Sequence, residues 1–174
     1  MLEAVAILKS ELPGLVVKAA RAEGIPESLL RSKEGFERLG IETVPPDGAH
    51  GLMREATALL ISSGTATLEA ACLGAPMVVV YRLALLSYVA ARALVRIPNI
   101  GLVNVVAGER VVPELIQGEA NGASMAREVG RFLKDPELAR SVSERLLLIR
   151  RSLGEPGASE RVARMALAMM GGEP

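Results

Sequence analysis

Tryptophan is absent from the 174 residues, and only two Phe, two Tyr, one Cys and one His occur. Each scarcity excludes something. The lone Cys72 rules out an internal disulfide, and with His50 as the sole histidine no Cys/His zinc cluster can form. A Ser-His-Asp triad would have to place His50 beside a suitable serine, and no motif in the chain suggests that arrangement. Net charge is missing too. Twenty basic residues balance twenty acidic ones, so no overall field points toward nucleic acid or an anionic membrane. No apolar run approaches the roughly 20 residues needed to span a bilayer. The nearest, "LALLSYVAARALV" over 83–95, is interrupted by Ser87 and Arg92. The start, "MLEAVAILKSEL", has no basic leader and reads as an amphipathic helix rather than a signal peptide. A reducing, cytoplasmic compartment fits these features.

What is present is aliphatic. Half the residues are hydrophobic, so the core must be built from Leu, Val, Ala, Ile and Met. Helical and strand patterns alternate over the first hundred residues. Helices are expected over 2–11, 25–40 (opened by Pro26 and closed by Gly40), near 51–57, from after Gly64 to about Cys72, and over 83–96. Strands are expected at 15–19, 41–44, 58–61, 77–81 and near 100–103. The run "MVVVY" at 77–81 is short, continuous and β-branched, as a strand buried on both faces should be. Such alternation predicts an α/β fold, a Rossmann-like parallel sheet with helices on both faces. From 122 onward only helical patterns remain, with Asp135-Pro136 a clear helix start. The expected division is a nucleotide-binding domain over 1–121, with C-terminal helices over 122–174 packing on it.

In an open α/β sheet, ligands sit beyond the carboxyl ends of the strands. At such an end stands "SSGTATLE", residues 62–69, directly after the apolar "ALLI". Small residues let a ligand approach the backbone, and helix N–H groups favour an anion. Ser63 and Thr65 add hydroxyls, and Glu69, a turn into the helix, could accept bonds from ribose. The same spacing equally describes a capped helix with a solvated Glu69. His50, in "PPDGAHG", reads as a surface turn residue in a loop of the kind that faces the ligand edge, and Cys72 as a small core residue. A second rich stretch, "IPNIGLVNVVAGERVVPELIQ" at 97–117, holds Asn104, Arg110, Glu114 and Gln117 in otherwise apolar surroundings. Asn104 reads either as a ligand-orienting amide or as a turn residue bonding its own backbone. Arg110 and Glu114 read as a solvated i, i+4 pair if that segment is helical.

Three motifs taken together closely resemble the C-terminal part of the lipid-A-disaccharide synthases: S-G-T-A-T-L-E, P-M-V-V-V-Y-R, and N-x-x-A-G-x-x-x-V-P-E-L-I-Q. The first recurs loosely across UDP-sugar transferases and epimerases. The third is far more particular. The resemblance implies an inverting glycosyltransferase of the GT-B type that passes 2,3-diacylglucosamine from UDP-2,3-diacylglucosamine to 2,3-diacylglucosamine 1-phosphate and releases UDP. It implies no cofactor and no essential metal, with helix N-termini and polar side chains stabilising the leaving diphosphate. By motif, Ser63, Gly64 and Thr65 would line the diphosphate and Glu69 the ribose. Asn104 and Gln117 would lie near the nucleotide or donor sugar, and Arg82 near the cleft. The segment 83–96, with Arg92 and Arg96, could hold acyl chains or touch the inner membrane face, or be a packed helix with snorkelling arginines.

Family members are roughly twice this length, and the resemblance places the N-terminal domain, with the expected catalytic base, outside this sequence. It also places outside it the strand and "PGSR"-type turn that open the C-terminal half. That strand lies centrally in a doubly wound sheet, so the strands at 15–19 and 58–61 should be left unpaired toward each other. The chain is therefore expected to be the donor-binding portion, inactive alone, with a chain supplying the N-terminal half as a further partner. The alternatives are a non-catalytic nucleotide-sugar-binding or assembly module and, more distantly, a UDP-sugar epimerase, which has nothing resembling residues 104–117.

Overall fold

The computed structural model describes residues 1–83, 99–155 and 157–170. The helix expected over 83–96, with Arg92 and Arg96, lies outside the described residues apart from Leu83. In chain order the elements are α1 (Leu2–Glu11), β1 (Lys18–Ala20), α2 (Glu27–Arg31), β2 (Glu42–Val44), a 3-10 turn (Pro46–Gly48) and α3 (Ala49–Glu55). They continue with β3 (Leu59–Ser62), α4 (Ala66–Cys72), β4 (Met77–Tyr81), α5 (Leu102–Ala107), β5 (Glu114–Ile116), a 3-10 turn (Gln117–Glu119), α6 (Gly122–Lys134), α7 (Pro136–Ser152) and α8 (Ala158–Met169).

All strand pairs are parallel, and they fall into two groups. One is β1-β2 and the other β3-β4-β5. β1 and β3 are not hydrogen-bonded to each other, as the reading of the sequence expected. β4 sits centrally in the larger group, and Met77, Val78 and Val79 are at most 1% exposed. β3 is equally apolar (Leu59, Leu60, Ile61) but only half-buried, because among the described residues one of its edges has no partner strand. α6 packs on β3, β4 and α1, while α4, α5 and α7 form a second mutually packed set, with α4 against β3. Ala70 and Ala71 of α4, Val103 of α5, Met125, Val129 and Phe132 of α6, and Leu146 of α7 join the sheet in one core.

Local chemistry explains most boundaries. Asn121 accepts from the Ser124 N–H at the start of α6, and Asp135 accepts from the Leu138 N–H at the start of α7. Gly74, at φ +68, turns the chain out of α4. At Gly122 a Cβ would come within 2.3 Å of the exposed Glu3 side chain, where α1 and α6 meet, so a larger residue there would have to turn that side chain aside.

Three expectations shift. The helix expected over 25–40 shrinks to α2, Glu27–Arg31, and the chain then runs through turns with Gly35 at φ +86, a conformation no helix accommodates. The strand expected at 15–19 moves to Lys18–Ala20. The strand expected near 100–103 is instead the start of helix α5, and a three-residue strand, β5, forms at Glu114–Ile116.

On α6, burial pushes the Glu128 carboxyl up, but hydrogen bonds from Arg131 and Arg127 outweigh it and hold the group below its ordinary value. A lowered folded-state pKa stabilises above the carboxylate range and loses that contribution as pH falls through the folded value. Because both arginines are largely exposed, the contribution is below about 1 kcal/mol. Glu128→Gln is therefore expected to be slightly less stable than the parent in urea at pH 7. The gap should close as pH falls through the carboxylate's lowered folded value, and a gap that does not shrink with acid would show that charge is not its source.

Candidate functional site

Because β3, β4 and β5 are parallel, their carboxyl ends share one edge. Residues 63–65 follow β3, Arg82 follows β4, and Gln117 follows β5. Five of the seven expected site residues thus lie along this edge, with Glu69 on the helix that rises from it.

At the β3 end, the Ser63 N–H donates to Val80 O at 3.1 Å and its hydroxyl to Ile100 O at 3.3 Å. A Cβ built on Gly64 would meet nothing within 4 Å, so the space over this turn is open. Thr65 is the N-cap residue of α4, but its side chain makes no cap bond. The local bond is made by Thr67, whose hydroxyl donates to Gly64 O at 2.7 Å. Among the described residues, the backbone N–H groups of Gly64, Thr65 and Ala66 and the Thr65 hydroxyl have no acceptor. Four donors therefore stand uncommitted at the end of β3.

Glu69 is half-exposed, and its Oε2 lies 2.9 Å from Nε2 of His50 on α3. That contact joins residues nineteen apart, and no reading of the sequence anticipated it. Cys72, expected in the core, is half-buried.

Arg82 is exposed, its Nε donating to Gln117 O at 3.4 Å. Gln117 has φ +51, an uncommon backbone state for a non-glycine residue and one found at functional edges. Its side chain brackets Leu83, accepting from the Leu83 N–H at 2.8 Å and donating to Leu83 O at 3.1 Å. The Gln117 amide thus ties the end of β4 to the end of β5.

Asn104 is fully buried on α5, away from solvent. Its Nδ2 donates to Val112 O at 2.9 Å and to Glu114 Oε1 at 2.7 Å, and its Oδ1 accepts from the Val111 and Val112 N–H groups at 2.8 and 3.0 Å. The two carboxylate oxygens of Glu114 also accept from the Ile100 and Gly101 N–H groups, at 2.9 and 3.0 Å, at the start of α5. Glu114 is therefore not the solvated partner of Arg110. It is 3% exposed, while Arg110 Nη2 donates to the Glu114 main-chain carbonyl at 2.6 Å. A carboxylate set between "VVP" and "LI" is the signal that could have marked it as interior. This network holds the chain entering β5 against α5, beneath the edge.

Two groups of parallel strands flanked by helices, with a donor-rich turn at the carboxyl edge, define a Rossmann-like half of the GT-B type. The chain belongs to the lipid-A-disaccharide synthetase family, whose profile matches residues 2–163. It is 44% identical over 129 residues to a lipid-A-disaccharide synthase of Geobacter sulfurreducens, covering 74% of this chain and 34% of that one. To those of Geobacter metallireducens and Trichlorobacter lovleyi it is 37% and 43% identical over 171 residues, 98% of this chain and 44% of each relative. The chain thus spans less than half the length of the curated relatives it matches. No helix among the described residues is long and apolar enough to cross a membrane.

Proposed function

We propose that this chain is the donor-binding part of a lipid-A-disaccharide synthase, holding the UDP of UDP-2,3-diacylglucosamine while the sugar passes to 2,3-diacylglucosamine 1-phosphate. The observation that carries the reading is the set of uncommitted donors at Gly64–Ala66 with the Glu69 carboxylate one turn behind, on the same short helix. Fixed N–H and O–H groups facing a diphosphate stabilise the charge that grows as UDP leaves, with no reorganisation at the moment of reaction. A carboxylate accepts from a pair of ribose hydroxyls. Ser63, Gly64 and Thr65 take the diphosphate in this reading, Glu69 the ribose, and Arg82 the cleft side of the donor. Asn104 and Gln117 act through the backbone they hold, since both amides are already engaged.

The acceptor-side groups and the catalytic base belong to the other half of the enzyme, so transfer requires that half as a partner. Its first contribution to this half is a parallel strand between β1 and β3, giving the order β2-β1-strand-β3-β4-β5. A cytoplasmic location against the inner membrane goes with substrates that carry acyl chains.

Calorimetric titration with UDP tests the donor reading. Glu69→Ala is expected to weaken binding about 10-fold or more, the worth of a hydrogen bond to a charged group. No binding by the parent at millimolar UDP, or equal binding by the variant, would overturn it.

A further inference from the structure

We infer that His50 is a positioning residue for Glu69, presenting that carboxylate to the ribose. The inference rests on the nucleotide reading above and adds a residue to it.

His50 lies in the first turn of α3, just after the 3-10 turn Pro46–Gly48, and α3 packs on α4. Its Nε2 is 2.9 Å from Glu69 Oε2. An ionised carboxylate only accepts hydrogen bonds, so Nε2 carries the proton and donates. Among the described residues, Glu69 Oε1 has no partner. The imidazole therefore occupies one oxygen and leaves the other free to accept.

A half-exposed glutamate has several rotamers, most of them pointing away from any one ligand atom. Fixing such a side chain before the ligand arrives removes that ordering cost from the binding step. An Nε2–H donor does this while leaving the carboxylate its charge. His50 never needs to touch the nucleotide, because the effect passes through Glu69.

A ratio separates positioning from general support of the fold: affinity for UDP against affinity for 2′-deoxy-UDP, which lacks one of the ribose hydroxyls. The parent is expected to prefer UDP about 10-fold or more, and Glu69→Ala to abolish the preference. His50→Ala should weaken UDP about 3- to 10-fold, leave 2′-deoxy-UDP nearly unchanged, and so shrink the ratio. His50→Gln, whose amide also donates, should restore it. If His50→Ala proves unfolded, His50→Gln against His50→Glu makes the same comparison, since a carboxylate at position 50 cannot donate. A ratio retained in His50→Ala but lost in Glu69→Ala overturns the role of His50 alone, as does equal weakening of both ligands. A ratio retained in Glu69→Ala overturns the ribose reading itself, and failure of the parent to bind UDP overturns both.

Discussion

Asn104→Leu is expected to destabilise the chain by about 3 kcal/mol or more, the largest loss for any single site residue. Leucine fills a similar volume, so the cost is not a cavity. It comes from the polar groups stranded in the interior, the Val111 and Val112 N–H groups and the Val112 carbonyl, and from a buried Glu114 oxygen that loses one of its two donors and keeps only the Gly101 N–H. Each buried neutral group left unpaired costs about 1–3 kcal/mol, and a charged one more. In a domain of this size that corresponds to a fall in Tm of roughly 6–12 °C. Chemical denaturation measures the free energy directly. A loss below about 1 kcal/mol would show that water replaces the amide and that the segment entering β5 does not depend on it. Asn104→Asp makes the complementary case, because it puts a second carboxylate against Glu114 and should be at least as damaging.

The second large effect concerns the free edges of β1 and β3. The Leu59 and Ser63 N–H groups bond toward β4, so by strand alternation those of Leu60 and Ser62 point away from it. On β1 the bonds toward β2 use Val17 O and the Arg21 N–H, which turns Lys18 and Ala20 outward. Open apolar edges are templates for another strand. Extending the chain ahead of α1 with the strand and turn that the family resemblance places there should pair both edges at once. Amide exchange at Leu60 and Ser62 is then expected to slow about 100-fold, equivalent to about 2.7 kcal/mol of local opening free energy. Exchange at Val79 in the already paired centre should change far less. Unchanged exchange at Leu60 and Ser62 would mean that the two edges do not receive a common strand.

Sequence alone determined whatever depends on neighbours a few residues apart. The cap at Asp135 and the exit of α4 at Gly74 follow from the backbone group the one must satisfy and the φ the other must adopt. "MVVVY" reads as a central strand because both its faces are apolar, and the structure buries it so. The "SSGT" turn at a strand end is legible for the same local reason. Tertiary structure decided what depends on partners far along the chain. β5 is three residues long and begins with a glutamate, so it has no alternation to display; only pairing with Val79–Tyr81 makes it a strand. Asn104 carries an amide that suits a ligand, a turn or a buried network equally well, and the position of Glu114 on β5 selects the network. His50 looks like a surface turn residue until α3 packs on α4 and brings it to Glu69. Residue type and spacing record which groups a chain carries and which face it buries, but a hydrogen bond needs two groups within about 3 Å of each other. Between distant segments only the folded chain sets that distance.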